Sequence, residues 1–263
     1  LPLHFIYLVS YIIPRNDRKW VFSSWEGNAY RGSCRYLFEY VSSNSSIEPI
    51  WITKNKQLYQ DLKGTGVNIK YGYSFSGIYT LFTAKVILVS HGLYDVVPYF
   101  TGGALIVCLG HVTFPIKNIS FVDNFSKLSC IDKLKGYLIS PYDHIKPTYE
   151  IVASDFTKNA AIFLHIDKKN ECDRIIPIGL PKSDFITNCL RKSREEIFET
   201  VSVQNLPNMA AKDKLILFLP TWREDKNFNL FGYGYKPKVL DDVLSRNDAL
   251  DIACFFNWMN GAV

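Results

Sequence analysis

Residues 104–117 read Ala104-Leu105-Ile106-Val107-Cys108-Leu109-Gly110-His111-Val112-Thr113-Phe114-Pro115-Ile116-Lys117. The apolar run Leu105–Leu109, closed by Gly110, has no polar alternation. That is the pattern of a strand buried on both faces of a parallel sheet. Such sheets bind ligands beyond the carboxyl ends of their strands, often over a helix N-terminus. His111 stands at such an edge, where an imidazole can take a proton from a hydroxyl near neutral pH. Lys117 would offset negative charge beside it. The plainer reading of the same residues is a strand-end histidine bonded to a backbone carbonyl, with Lys117 solvated.

Upstream of this stretch, strand and helix patterns alternate. Trp20–Ser24 and Pro49–Thr53 read as strands on either side of a helix over Gly32–Ser42, whose Tyr36, Leu37, Tyr40 and Val41 share one face. Lys56–Leu62 reads as a short helix closed by Gly64, Val67–Lys70 as a strand, Ser76–Thr83 as a helix, and Lys85–Ser90 as a strand rich in β-branched residues. Downstream, Asn118–Lys135 has no clear pattern. Gly136–Ser140 and Arg174–Gly179 read as strands, and Pro177 marks the second as an edge or a strand end. Gly179–Asp184 reads as a turn and Ser193–Val203 as a charged surface helix. Pro207 and the loss of periodicity mark 205–213 as a linker. Leu215–Leu219 then reads as the first strand of a second unit, with Pro237–Leu244 as its first helix. The alternation predicts an α/β fold, a parallel sheet with helices on both faces. A Rossmann-like domain is expected over 20–204, and the start of a second over 214–263.

The apolar stretch Leu3–Ile13 stops at Pro14, followed by Arg15, Arg18 and Lys19. It is shorter than the about 20 residues needed to cross a bilayer. It also lacks the basic start and small-residue cleavage site of a signal peptide. Residues 1–19 fit a helix in the membrane interface with its basic flank on anionic headgroups, and equally a core helix. The chain has 263 residues, of which 48% are hydrophobic, so it can bury a large core. Its net charge of +5 suits an anionic substrate or an anionic membrane surface. No basic tract with interleaved aromatics is present, so nucleic acid is not an expected partner. The six cysteines are scattered, without CxxC or zinc spacing, and suit a reducing cytoplasm. Walker, GxGxxG, GxSxG and HExxH motifs are absent, and no metal or cofactor is expected.

Four short segments fall at expected strand ends: Gly110–Lys117, Ser140–Asp143, Gly179–Asp184 and Pro220–Asp225. They supply His111, the hydroxyl of Thr113, and the cations Lys117, Lys182 and Arg223, which suits a phosphate-handling cleft. In this order they resemble the CDP-glycerol glycerophosphotransferase family, the teichoic-acid and capsule polymerases and primases. Gly110–Lys117 is similar to the family's His-Gly-Thr-Pro-Leu-Lys loop, and Ser140-Pro141-Tyr142-Asp143 to its Ser-Pro-x-Asp turn. Gly179-Leu180-Pro181-Lys182-Ser183-Asp184 is similar to its Gly-x-Pro-Arg-x-Asp turn, and Leu219–Asp225 to its Ala-Pro-Thr-Trp-Arg-Asp strand end. The resemblance runs to about Asp225.

The resemblance implies a GT-B-like fold with an active site between two Rossmann-like halves. It implies transfer of glycerol phosphate, or ribitol phosphate, from a CDP-linked donor to a hydroxyl of a lipid-linked polyol-phosphate acceptor, releasing CMP. The setting would be the cytoplasmic face of the cell membrane, with the enzyme held peripherally. His111 would be the general base, Lys117 and Arg223 would stabilise charge, and Thr113 and Lys182 would help hold phosphate or substrate. Lys182 stands where the family has Arg, and it lacks the bidentate fork. Val112 stands where the family has Gly, and it crowds a backbone approach to phosphate. The family's later His-Pro segment and acidic, Ser-rich stretch are not found after Leu250, so truncation in the donor-side half is expected. A different GT-B transferase using a nucleotide sugar, or a non-catalytic acceptor-binding fragment, are the alternatives. Asp184 reads as a turn or helix cap and Trp222 as packing; His91, which follows a strand in Ser90-His91-Gly92, could line the same cleft but reads as structural.

Overall fold

Strand residues apolar on both sides need cover on both sides, and the sheet is built that way. The computed structural model describes residues 2–110, 129–131, 147–164, 173–192, 196, 214–218 and 249–253. Seven strands are β1 (Asn16–Phe22), β2 (Glu48–Thr53), β3 (Ile69–Tyr71), β4 (Ala84–Val89), β5 (Leu105–Cys108), β6 (Tyr149–Val152) and β7 (Ile175–Pro177). They form one sheet in the order β3-β2-β1-β4-β5-β6-β7, and every pairing is parallel. The two-residue period sends Val21, Ile50, Ile52, Ile87, Val89 and Ile106 to one face and Phe22, Trp51 and Leu88 to the other.

Helices close both faces. The helix α2 (Gly32–Asn44) lays Cys34, Phe38 and Val41 on the Phe22 side. There Phe38 meets Phe22 and Trp51 edge-on, with centroids 5.5 and 5.7 Å apart. The helix α4 (Phe75–Thr83) brings Leu81 to the opposite core. Each fully buried side chain of this size contributes roughly 1.5–3 kcal/mol. Local chemistry starts the helices: the Asn55 side chain accepts from Gln57 and Leu58 at the head of α3 (Lys56–Leu62), and Ser74 accepts from Gly77 at the head of α4. Gly77 is required there, because a Cβ would collide with the Tyr71 carbonyl.

The N-terminal helix α1 (Pro2–Ser10) is docked on one side and open on the other. Tyr7 and Ser10 are buried, and Ser10 Oγ accepts from the Gly102 amide at 2.7 Å. Phe5, Leu8 and Ile12 are 67, 52 and 80% exposed and follow one another at helical spacing. The basic residues that follow divide between the interior and the surface. Arg15 turns inward and donates to the carbonyls of Leu81 (2.7 Å), Ala84 (2.9 Å), Ser10 (3.3 Å), Phe100 (3.4 Å) and Gly102. Burial draws its pKa down to about 10, so it stays charged at neutral pH. Lys19 is buried and donates to Thr83 Oγ1 at 3.0 Å. Arg18 remains exposed.

Three described elements had no counterpart in the sequence reading: β6, the helix α5 (Asp155–Leu164) and the strand Ala249–Ala253. The expected turn Gly179–Asp184 is half helix, since α6 (Pro181–Cys189) starts at Pro181. The expected strand Gly136–Ser140, helix Pro237–Leu244 and linker 205–213 lie outside the described residues, as does the 193–203 helix apart from Glu196. Cα packing divides the chain into two compact units, Leu1–Ser193 and Arg194–Val263. In the second, β8 (Lys214–Phe218) and β9 (Ala249–Ala253) pair in parallel over their full length.

Candidate functional site

Parallel pairing puts all the carboxyl ends of β1–β7 on one edge. The strand order reverses at β1 and β4. Beyond β1 the chain enters α2 on the Phe22 side. Beyond β4 it enters a 3₁₀ turn (Leu93–Asp95), with Leu93, Val96 and Val97 packed on the opposite side. Two exits diverging to opposite faces are the arrangement in which open α/β sheets bind ligands.

The two exit loops are locked together by one carboxylate. Asp95, fully buried, accepts from the Glu26 amide at 2.7 Å, the Ser90 amide at 2.5 Å, the Ser90 hydroxyl at 2.9 Å and the His91 amide at 3.0 Å. These bonds hold a turn after β1 in which Trp25, Glu26 and Gly27 all have positive φ, at 53°, 55° and 77°. Left-handed backbone at two non-glycine residues costs of order 1–3 kcal/mol each and persists where neighbours over-determine it. The Trp25 amide donates to Ser90 Oγ at 3.0 Å, and the same Oγ lies 2.7 Å from His91 Nδ1. The Trp25 and His91 rings are 5.2 Å apart, and the Arg31 guanidinium lies 5.6 Å from the indole. From the end of β2, Lys54 donates to the Tyr94 carbonyl at 2.5 Å; burial lowers its pKa, against the pull of Glu26 and Asp95.

Of the site residues expected from sequence, Lys182 is described. It sits in the first turn of α6, at the same edge of the sheet, and burial lowers its pKa. Asp184 is exposed in that turn, where a carboxylate favours the helix N-terminus. Gly110 leaves β5 with φ 64°. His111, Thr113, Lys117 and Arg223 lie outside the described residues, as do Ser140–Asp143 and Trp222. Among the described residues no group of three His, Cys, Asp or Glu side chains is placed to hold a metal. An apolar hollow of about 300 Å³, lined by Trp20, Leu37, Leu88, Val107 and Ile151 with Asp184 at its rim, offers volume but little acid–base chemistry.

The sequence reading noted His91 in Ser90-His91-Gly92, directly after a strand, where it could line the same cleft, and favoured a structural role; it did not join Trp25, Ser90 and Asp95 to it. The bond from Ser90 to Asp95 crosses a turn that the sequence does not announce.

A family model described as CDP-Glycerol:Poly(glycerophosphate) glycerophosphotransferase matches residues 5–251. Among solved structures, a histidine-to-alanine variant of the wall teichoic acid polymerase TagF superposes with a TM-score of 0.66 at 17% identity. The unsubstituted polymerase gives 0.65 at 18%, and a histidine-to-asparagine variant with CDPG gives 0.63 at 17%. Each comparison covers 99% of this chain and 62% of the polymerase chain. The likeness supports the expected GT-B-like α/β fold class. A search among curated proteins finds no match.

Proposed function

The chain belongs to the CDP-glycerol:poly(glycerophosphate) glycerophosphotransferase family, and from that premise we propose that it serves transfer of glycerol phosphate from CDP-glycerol to a polyol-phosphate acceptor. The family match over residues 5–251 carries this reading. In the reaction, the acceptor hydroxyl oxygen attacks the glycerol-linked phosphorus. A new P–O bond forms to the acceptor, the phosphoanhydride bond breaks, and CMP leaves. His111 takes the hydroxyl proton, a role worth about 10²–10⁴-fold. Thr113, Lys117, Lys182 and Arg223 hold the phosphates and offset charge as CMP departs. The position of Gly110 at the carboxyl end of β5 supports the placement of His111, its next residue, at the ligand edge. Residues 20–204 act as the acceptor-side domain, 205–213 as a linker and 214–263 as the beginning of the donor-side domain.

The acceptor is lipid-linked and the enzyme sits peripherally on the cytoplasmic membrane face. Supporting this are the exposed Phe5 and Leu8 on α1, and the exposed Ile12 and Arg18 beyond it. No helix among the described residues is long and apolar enough to cross a membrane.

The test is CMP release from CDP-glycerol with and without a lipid-linked glycerol phosphate acceptor. Acceptor-dependent release, reduced by His111→Ala at least about 10²-fold, is the expected result. Folded protein that releases no CMP, or a His111→Ala variant as fast as the parent, would refute the reaction or the role of His111 respectively.

A further inference from the structure

The helix α2 begins without the cap that α3 and α4 carry. Its N-cap position is Arg31, whose side chain makes no capping bond, and its first turn holds no acidic residue. The first amides of a helix have no partner within it. Those of Gly32, Ser33 and Cys34 donate to no other described residue.

A second observation at the same place points to a missing partner. Ser33 is 3% exposed, and its Oγ has no hydrogen-bond partner. It stands in the first turn of α2, where the Cα–Cβ bond tilts toward the helix N-terminus, so the hydroxyl is carried to the side of the free amides. A buried hydroxyl without a bond costs stability and calls for an acceptor. A serine hydroxyl turns between staggered wells, so it can present its proton to an acceptor seated on those amides.

The surroundings select an anion. Arg31 is exposed, and its guanidinium lies 5.6 Å from the Trp25 ring, which sets a positive charge beside the free amides. The helix dipole adds partial positive charge at the same end. Among the described residues, a Cβ on Gly32 would meet within 4 Å only Trp25 Nε1, at 4.0 Å, and φ there is 71°. Glycine thus keeps the backbone open to close approach. The buried Asp95 carboxylate already takes four donors, none of them from α2. The α2 N-terminus follows β1, at the reversal of strand order, where open α/β sheets seat phosphate on a helix N-terminus.

We propose that the N-terminus of α2 is a phosphate subsite. The amides of Gly32, Ser33 and Cys34, the Ser33 hydroxyl and the Arg31 guanidinium bind one phosphodiester of the polyol-phosphate acceptor. One guanidinium and about half a charge from the helix match the single charge of a phosphodiester better than the diphosphate of CDP-glycerol. The identity of the molecule that carries the phosphate rests on the glycerophosphotransferase reading above. The subsite holds the acceptor and transfers no group.

Two measurements on the intact chain test it. The first is ¹H–¹⁵N NMR of the Gly32, Ser33 and Cys34 amides during separate titrations with a water-soluble glycerol phosphate oligomer and with CDP-glycerol. The oligomer should shift all three, at concentrations below those CDP-glycerol needs. The second is oligomer affinity and urea denaturation of Arg31→Gln and Ser33→Ala. Each should bind the oligomer about tenfold more weakly, the loss of one hydrogen-bonding group. Ser33→Ala removes a buried hydroxyl that has no partner in the free chain, so its denaturation midpoint should stay equal or rise. Weaker binding at undiminished stability is a pair of effects that a structural serine does not produce. Amides that ignore the oligomer or respond first to CDP-glycerol would overturn the proposal. So would oligomer affinity equal to the parent's in either variant, or a lower midpoint in Ser33→Ala. Neither measurement needs turnover. Oligomer binding at these amides without CMP release would refute the proposed reaction and leave the subsite supported.

Discussion

At the scale of single residues, Asp95 decides the geometry of the ligand edge. Four donors converge on it at zero exposure. Asp95→Asn replaces one acceptor oxygen by a donor facing donors, and leaves at least one buried amide or hydroxyl unpaired. We expect a loss of roughly 1–3 kcal/mol in urea denaturation, with the Trp25 turn relaxing out of its left-handed backbone. An unchanged denaturation midpoint would show that the carboxylate is not the lock. Cys34 gives a second residue-level expectation. It is fully buried in the Phe22-side core, and burial pushes its thiol pKa well above the ordinary 9.0. Below that pH both folded and unfolded thiols are neutral. Above it the unfolded thiol ionises while the folded one does not, so the unfolded state binds fewer protons and stability falls as pH rises, by up to about 1.4 kcal/mol per pH unit. Iodoacetamide at pH 8 should label the exposed Cys130 and spare Cys34, as peptide mass mapping would show. None of this is visible in the sequence, where Asp95 is an acid in a loop and Cys34 a small residue in a helix pattern.

At the scale of elements, α1 is attached by a close approach that only glycine permits. A Cβ on Gly102 would strike Ser10 Oγ, and would lie 2.6 Å from Tyr11 Cδ2 and 2.7 Å from the Tyr7 carbonyl. Gly102→Ala should therefore lift α1 off its seat at a cost of about 1–3 kcal/mol. Hydrogen exchange should accelerate over residues 2–12 while β1–β5 keep their protection. Uniform protection in the variant would mean the seat adapts. The outward face of α1 gives a separate test of the proposed membrane contact. Replacing Phe5, Leu8 and Ile12 together by Ser should weaken co-sedimentation with vesicles containing anionic lipid, with the fold unchanged by circular dichroism. Equal sedimentation would assign the stripe some other role. The elements the sequence hid are those with short or mixed patterns. The four residues of β6, Tyr149-Glu150-Ile151-Val152, are too few for a period to register. The helix α5 is signalled by reciprocal bonds between Ser154 and Thr157, at 2.8 and 3.3 Å, a capping pair with Thr in place of the usual Glu or Gln.

At the scale of the whole molecule, the seven-stranded sheet and both of its cores lie within Leu1–Ser193. A chain ending at Ser193 should thus keep a cooperative thermal transition with intact far-UV dichroism. A broad, non-cooperative transition would show that the sheet depends on residues 194–263. The sequence by itself determined the parallel α/β architecture, because uninterrupted apolar strands separated by amphipathic helices have few other ways to cover both strand faces. It also determined the family, through short motifs at strand ends. What the tertiary structure alone decided is the order of the strands, the seating of α1, the inward turn of Arg15 and the lock at Asp95. Each joins residues distant in the chain, or crosses a turn, through hydrogen bonds and close contacts. Periodicity records which face a residue shows, but not which partner meets it there.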